Sequence, residues 1–532
     1  MTFVADTCQS GQAAGPKPDQ DKKDMAKDID AKPITSICAA ETGLAFDARS
    51  TPHVSVFEAI KTWPYAVMWS AVFSSTLVMV SYTPSWISQL YALPAFTTRF
   101  GYDYDGTYVI PARWQSALSA CSLLGQFFGA PVIAVLMDKF SLKLMFMAAL
   151  VLLASSVFIQ FFSTSLPILV AGTLLIGLSL SSYGVLSLTY AMKVSPLPLH
   201  GVLGAFYSFD IVTGPLLAAA VAQGVVNMAS VWAYRISFAI TWAWPFVLLP
   251  VSFFTPESPM WLIRQGRTAD AEAALQRLAI SDFDISPDLA RMAEIDRQEQ
   301  AFENSTTYKE IFKGSNLRHT IIATGCYSII INTGASLTNG GSYFMIYQFI
   351  PLAGVDAETS FLWSLGAGLG ALLGAFISLW ILAKCLRRPV YIWSQLISTG
   401  LLFIIGFTQL DPKYYERKDI LSPVSTVIMG EVPSNALRSK TVAFATAVQI
   451  VISVLILTIY PYLLGPDSKH LQGYIGFIAG ASSLVYTIWT FFYVPETSLT
   501  IETLDMLFTS EVNARHFTTF EVNQLEGTTD LP

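Results

Sequence analysis

The segment Thr255-Pro256-Glu257-Ser258-Pro259-Met260-Trp261-Leu262 follows a long apolar stretch near the middle of the chain and precedes the charged run Ile263-Arg264-Gln265-Gly266-Arg267. A second block, Val494-Pro495-Glu496-Thr497, closes the last apolar stretch. Each block places Pro where a helix ends, because the missing N–H and the fixed φ of Pro are tolerated there. Each also places a Glu beside that Pro, as expected at a boundary between membrane and water. The two blocks therefore mark the ends of two sets of apolar segments.

The composition is that of a membrane protein. Of the 532 residues, 53% are hydrophobic and 13% are charged, and the mean hydropathy is +0.50. A soluble domain carries roughly 25% charged residues, so soluble multidomain classes are set aside. The 5 cysteines show neither paired nor metal-ligand spacing, which argues against a disulfide framework or a metal site.

Apolar windows long enough to cross the bilayer recur after residue 60. A crossing of about 30 Å needs about 20 helical residues. The windows lie near 64–86, 114–136, 144–162, 166–190, 203–226, 233–254, 320–350, 360–383, 389–409, 441–464 and 473–493. A weak candidate lies near 420–434, where the uninterrupted apolar run from Ile420 to Met429 gives only roughly 15 Å of helix. We therefore expect two sets of six spans, of which the tenth is short and doubtful.

Basic residues indicate the orientation, because Lys and Arg concentrate in cytosolic loops. Their distribution places both termini and the central connection on the cytosolic side. The connection is expected to contain short amphipathic helices, which act either as a solvated connector or in gating. The predicted organisation is a disordered cytosolic tail (1–60), a first six-helix half (61–255), the cytosolic connection (256–318), a second six-helix half (319–497) and a cytosolic C-terminal tail (498–532).

The two Pro-Glu blocks, placed after the sixth and the last apolar segments, resemble the signatures of sugar porters in the major facilitator superfamily. The stretches Tyr234 to Ala239, Gly430 to Ser434, Leu437 to Thr441 and Tyr460 to Leu463 are similar to the fungal α-glucoside (maltose-type) permease branch. The resemblance extends roughly from Val56 to Phe508. It implies an all-α membrane protein with the major facilitator fold, in which two six-helix halves open a midplane site alternately to each side. It also implies proton-coupled import of di- and oligosaccharides.

Charged residues at the cytosolic helix ends are predicted to form an inner gate. A Glu and an Arg about seven residues apart can pair across neighbouring helices, and the second half keeps this pattern as Glu431 and Arg438. The corresponding first-half positions are Lys193 and His200, so the first-half gate is altered. The alternative is that these charges are solvated and only satisfy the orientation rule. The predicted inner-gate residues are Asp138, Arg387, Arg388, Glu431, Arg438, Glu257 and Glu496.

The residues that sugar porters use for sugar and proton are replaced in this chain. Positions that match cavity Gln residues of the family are Pro215 and Ile330, and a hydroxyl left without a partner costs about 1–3 kcal/mol. Thr83 stands at the position of the branch's first-span aspartate and cannot carry a proton. Proton coupling requires an ionisable group within the membrane, and Asp210 in the fifth span is the candidate. Asp210 could instead lie near a helix end.

Amide and aromatic side chains of a different pattern remain in the expected cavity. They either bind the solute or form hydrogen bonds between helices. The seventh segment is rich in Gly, which allows unwinding near a site. The candidate substrate-binding residues are Asn332, Asn339, Tyr343, Gln126 and Gln449.

These observations predict a secondary transporter rather than an enzyme, with no cofactor and no metal. We expect it to move a small organic solute across a membrane by alternating access, the solute being a non-sugar metabolite and the chain an exporter of a secondary metabolite. A divergent α-glucoside importer and a non-transporting receptor or degenerate homologue remain as alternatives. The expected partners are the solute, the lipid bilayer and protons, with no nucleic acid. The plasma membrane is the expected location.

Overall fold

The computed structural model describes residues 56–104, 106–195, 199–280, 284–305, 312–330, 357–382, 387–408, 438–464 and 475–494. Residues 56 to 532 belong to one compact unit. Helix α1 begins at Val56, inside the predicted 1–60 tail, and Ala59 in this helix is buried. The last residues of the predicted tail therefore form a helix.

The first half is a bundle of long helices interrupted by one short hairpin. Its elements are α1 (Val56–Thr62), α2 (Pro64–Ser74), α3 (Leu77–Leu90), α4 (Pro94–Phe100), β1 (Tyr102–Tyr104), β2 (Thr107–Val109), α5 (Ala112–Lys139), α6 (Leu142–Phe161), α7 (Leu166–Val194), α8 (His200–Val225), α9 (Trp232–Thr241) and α10 (Ala243–Phe254). The first span is formed by α2 and α3 together, and the sixth by α9 and α10.

Three helices follow the first half, and the second half then resumes the bundle. The connecting helices are α11 (Pro259–Arg264), α12 (Thr268–Gln276) and α13 (Ser286–Ser305). The helices described in the second half are α14 (Gly314–Ile330), α15 (Ala357–Leu382), α16 (Arg387–Thr408), α17 (Arg438–Leu464) and α18 (Ile475–Tyr493).

Within the described residues, 9 helical segments are long and apolar enough to cross a membrane. They match nine of the predicted windows, six in the first half and three in the second. The window near 389–409 is a helix of 22 residues that does not meet the same criterion. The seventh window is described only as far as Ile330, and the weak tenth window lies outside the described residues.

Helices α5 and α7 cross at a point where both carry glycine. A β-carbon at Gly177 would collide with the carbonyl oxygen of Ser122, and one at Gly125 would collide with the carbonyl oxygen of Leu174. Small residues allow such close approach between membrane helices, where van der Waals packing drives association. The two glycines therefore set the distance between α5 and α7.

The connecting helices form a layer against one end of the first half. Arg264 of α11 pairs with the buried Asp296 of α13 at 3.0 Å, and Gln300 donates to the same carboxylate at 2.7 Å. The backbone N–H of Ile280 donates to the carbonyl of Thr62 at 3.1 Å.

We call this end of the bundle the proximal end and the opposite end the distal end. The amphipathic helix expected in the connection is present as α12, which buries Ala271, Ala274 and Leu275.

The two halves meet through α5 against α17 and through α8 against α15. At the distal end, the hydroxyl of Ser116 donates to the carbonyl of Thr458 at 2.8 Å. The amide of Asn227, just after α8, donates to the carboxylate of Glu358 at 3.3 Å. These contacts bring the halves together at the distal end.

Candidate functional site

A cluster of hydrogen bonds surrounds Glu257 at the proximal end of the first half. The Lys143 ammonium donates to the carbonyls of Phe253 at 2.7 Å and Thr255 at 3.0 Å, which lie at the end of α10. The Glu257 carboxylate accepts from the backbone N–H of Lys143 at 3.4 Å and of Ser258 at 3.3 Å. A cation at a helix C-terminus and a carboxylate at a helix N-terminus both match the helix dipole. Glu257 therefore joins the start of α6 to the end of α10.

Two neighbouring side chains extend this cluster. The hydroxyl of Tyr190 donates to the carbonyl of Pro256 at 3.2 Å, and the guanidinium of Arg277 donates to the carbonyl of Phe254 at 2.8 Å. Ser141 caps α6 by accepting from the N–H of Leu144 at 3.2 Å. These bonds connect the end of α10 and the residues just after it to α6, α7 and the end of α12.

The second half repeats one part of this arrangement. Arg388, at the start of α16, donates to the carbonyl of Phe491 near the end of α18 at 3.1 Å. Lys143 and Arg388 occupy corresponding positions. Lys143 lies at the start of α6 and is bonded to the end of α10, and Arg388 lies at the start of α16 and is bonded to the end of α18. In each half, therefore, a basic residue connects the third predicted span to the last one.

We expect Lys143→Met to lower the stability of the purified protein by about 1.5 kcal/mol, the lower end of the range for hydrogen bonds to charged groups. The reason is that the carbonyls of Phe253 and Thr255 lose a charged donor. Thermal unfolding in detergent measures the effect. Lys139→Met is the matched control, since Lys139 is exposed at the end of α5. Equal stability of the two variants would show that the cluster does not stabilise the proximal end.

Several predicted gate residues are only partly described. Asp138 lies near the end of α5, Arg387 begins α16 and Arg438 begins α17, but their side chains are outside the described part of the structure. Glu431 and Glu496 lie outside the described residues altogether. The predicted pairing of Glu431 with Arg438 therefore stays a prediction.

Asp210 lies within α8, ten residues from the helix start, which is about 15 Å along the axis. Its side chain is half-buried. Gly214, one turn further on, faces the first span, because a β-carbon there would collide with Ser81 and the carbonyl of Val78. Residues four apart share a helix face, so Asp210 lies on the side of α8 that faces the first span. The alternative that Asp210 lies near a helix end is wrong.

Thr83 and Pro215, which the resemblance matches to family residues of other types, lie in α3 and α8. Thr83 of α3 is 5% exposed, and its hydroxyl makes no hydrogen bond within the part of the chain that the structure describes. Pro215 lies between Gly214, which faces the first span, and Leu216, which contacts Gly368 of α15. Thr83 is therefore buried in the bundle, whereas Pro215 is half-buried in α8.

Of the five predicted substrate-binding residues, two are described. Gln126 of α5 and Gln449 of α17 are half-buried and lie on helices that pack together. Each glutamine lies about 14 Å along its own helix from the hydrogen bond between Ser116 and Thr458, in the direction of the proximal end. The two amides therefore lie at the same depth, near the middle of the bundle. Asn332, Asn339 and Tyr343 lie outside the described residues.

Sequence reasoning missed a break in the first span. The helix is interrupted between Ser74 and Leu77, and the carbonyl of Ser75 accepts from the indole N–H of Trp244 at 2.9 Å. A second indole N–H, that of Trp242, donates to the carbonyl of Ala154 at 3.0 Å. The signal was the run Ser74-Ser75-Thr76 within an apolar span, because Ser and Thr hydroxyls compete for backbone hydrogen bonds.

Comparison with known proteins agrees with this architecture. The chain is similar to the Maltose permease MAL31 of Saccharomyces cerevisiae, with 29% identity over 500 residues, covering 89% of this chain and 81% of the relative. It is similar to the General alpha-glucoside permease of Saccharomyces cerevisiae, with 27% identity over 543 residues, covering 97% of this chain and 85% of the relative. Among solved structures, the proton:xylose symporter XylE bound to 6-bromo-6-deoxy-D-glucose superposes with a TM-score of 0.65 at 18% identity, covering 84% of this chain and 99% of that one. This last likeness shows the major facilitator fold.

The family model described as "Sugar (and other) transporter" matches residues 68–417 and 420–508. The interruption at residues 418 and 419 falls just before the segment where the sequence predicts a short tenth span. The matched segments cover most of the chain and include both Pro-Glu blocks. The protein is accordingly a member of the sugar transporter family, the sugar porters of the major facilitator superfamily.

Proposed function

We propose that this transporter imports an α-glucoside-type sugar across the plasma membrane by alternating access. The observation that carries the proposal is the similarity to maltose and α-glucoside permeases over 89% and 97% of the chain. This reverses the order of the sequence-based expectations, which placed a non-sugar solute and export first. Family membership and these relatives favour the sugar importer.

The depth of Gln126 and Gln449 supports a polar solute. A sugar presents many hydroxyls, and each needs a partner once it leaves water. Two half-buried amides at one depth, on the packed helices α5 and α17, offer both donors and acceptors. In the proposal these amides bind sugar hydroxyls midway across the bundle, with Asn332, Asn339 and Tyr343 as further candidates.

Protons are the proposed coupling ion and Asp210 the proposed proton site. Asp210 lies inside α8, on the face towards the first span, which contains Thr83 at the position of the family's aspartate. Among the spans that the structure describes, the other acidic residues, Asp138 and Glu358, lie at helix ends. Asp210 is thus the described carboxyl group best placed to bind and release the coupled proton.

A non-sugar organic solute is the second candidate. Thr83 and Pro215 support this candidate. A buried threonine forms fewer hydrogen bonds than the aspartate that it replaces, and a proline side chain forms none in place of the glutamine. A solute with fewer hydroxyls would leave fewer groups without partners. The receptor or degenerate homologue remains a third candidate, and flux of labelled solute into vesicles separates it from both carriers.

Uptake by a host that lacks its own α-glucoside permeases tests the proposal. We expect saturable uptake of maltose or another labelled α-glucoside when the chain is present at the cell surface. Gln126→Leu should raise KM about ten-fold, since an unpaired hydroxyl costs roughly 1–3 kcal/mol and about 1.4 kcal/mol is ten-fold. Gln265→Leu is the matched control, because Gln265 is exposed at the end of α11. Background uptake of every α-glucoside by surface-localised protein would favour the non-sugar solute.

A further inference from the structure

A group of aromatic rings lies at the distal end of the first half, where α6 ends and α9 begins. The ring centroids of Phe161 and Trp232 are 6.4 Å apart, and those of Phe161 and Trp242 are 5.2 Å apart. Phe158 and Phe162 extend the group, with centroids 4.5 Å apart. We call these five residues the distal aromatic cluster.

Part of the distal aromatic cluster faces the lipid. Phe158 is 56% exposed, and Phe162 and Trp232 are each 53% exposed, on segments that are long and apolar enough to span the membrane or that adjoin them. Phe161 is the last residue of α6 and Trp232 the first of α9. Aromatic rings concentrate at this boundary between membrane and water, where the lipid headgroups lie. The cluster therefore lies at the depth of the distal headgroups.

Arg235 lies beside these rings, one turn into α9. Its guanidinium is over the Phe161 ring, 5.7 Å from the centroid. The side chain is half-buried, and its Nε atom is buried without a hydrogen-bond partner among the described residues. Arg235 also forms no ion pair in the part of the chain that the structure describes. A guanidinium has five N–H donors and stays charged in proteins, so an anion that accepts hydrogen bonds fits beside Phe161.

We propose that Arg235 and the distal aromatic cluster bind a phospholipid of the leaflet that surrounds the distal end. The phosphate accepts hydrogen bonds from Arg235, whose planar guanidinium matches phosphate oxygens in a bidentate pair. The acyl chains pack against Phe158 and Phe162. The bilayer presents phosphates and apolar chains at the same depths as the guanidinium and the rings. A free phosphate ion would leave the exposed rings uncovered, so the lipid is the occupant that satisfies both features.

Thermal unfolding of the full chain in a polyoxyethylene detergent, which contains neither phosphate nor sugar, tests this binding. Added dioctanoyl phosphatidylglycerol should raise Tm saturably, because a ligand that binds the folded state stabilises it. Dioctanoylglycerol has the same acyl chains without the phosphate and should have a much smaller effect, as should inorganic phosphate. Equal shifts with the two lipids would overturn the proposal without the need for any variant.

Substitution of Arg235 locates the site. Arg235→Gln should raise the half-saturating concentration of phosphatidylglycerol about ten-fold, because a charge-assisted pair is lost, and Arg235→Lys should retain part of the affinity. Arg99→Gln is the matched control. Arg99 lies on the same side, 5.6 Å from the Phe100 ring centroid, but it is exposed and outside the candidate spans. An unchanged half-saturating concentration in Arg235→Gln would contradict the proposal and leave Arg235 a contact of the Phe161 ring alone.

Native mass spectrometry identifies the occupant of the surface. A retained phosphatidylglycerol that is lost in Arg235→Gln supports the proposal. A dimer without retained lipid would show that a second copy of the chain covers the distal aromatic cluster, and the proposal would be wrong. Neither measurement involves transport, so the outcome is independent of the proposed sugar import.

Discussion

We expect Gly177→Ala to destabilise the protein by about 3 kcal/mol, the upper end for overpacking in a well-packed core, which lowers the folded-to-unfolded ratio about a hundred-fold. A β-carbon at this position meets the carbonyl oxygen of Ser122 and approaches the backbone of Gly125. Backbone atoms cannot rotate away as a flexible side chain can. Helices α5 and α7 would therefore have to move apart along a large part of their contact.

Gly184→Ala in the same helix is the matched control. Nothing lies within 4 Å of a β-carbon at Gly184, and alanine is favoured over glycine in a helix by about 1 kcal/mol. The same substitution, seven residues apart, is thus expected to have opposite effects on stability. Thermal unfolding of the detergent-solubilised variants measures both, and a Gly177→Ala protein as stable as Gly184→Ala would contradict the helix crossing described above.

We expect Asp210→Asn to abolish accumulation of solute driven by a pH gradient while equilibrium exchange continues. Asparagine keeps the size of the side chain and its capacity for hydrogen bonds, but it cannot bind and release a proton. Because coupling requires a titratable group within the membrane, only the driven component should be lost. Proteoliposomes with an imposed pH gradient measure accumulation, and counterflow in the absence of a gradient measures exchange.

Asp103→Asn is the control for this experiment. Asp103 lies on the exposed hairpin, where it accepts from the N–H of Gly106 at 3.1 Å, and its loss should leave accumulation unchanged. Full accumulation by Asp210→Asn would return Asp210 to a structural role. Coupling through another residue would then be the better account.

The sequence predicted the spans because about 20 consecutive apolar residues have few structural alternatives. It also located Glu257 at a helix boundary, since Pro on either side leaves few other places for it. The partner of Glu257 at the start of α6 could not be predicted. Lys143 lies more than a hundred residues away in sequence, and periodicity does not show which helices pack together.

The features that sequence reasoning missed depend on close packing. Gly125 and Gly177 read as ordinary glycines in apolar helices until α5 and α7 are placed side by side. The hairpin Tyr102–Tyr104 with Thr107–Val109 was overlooked, although Asp105-Gly106 is a known turn signal and Gly106 has a φ of 82°. Of the predicted site, Asp210, Gln126 and Gln449 are half-buried and lie well inside their helices, but their roles remain predictions.

The contacts that join the halves at the distal end also bear on how the carrier is driven. One is a hydroxyl bonded to a carbonyl at 2.8 Å, and the other an amide bonded to a carboxylate at 3.3 Å. The first contributes about 1 kcal/mol and the second, which ends on a charged carboxylate, about 1.5 kcal/mol, because water replaces the partner when they open. A solute that prefers the opened form by about 2.5 kcal/mol is enough to offset both, since a ligand shifts an equilibrium by its difference in affinity. Small contact energies of this kind leave the direction of net flux to the chemical gradients across the membrane.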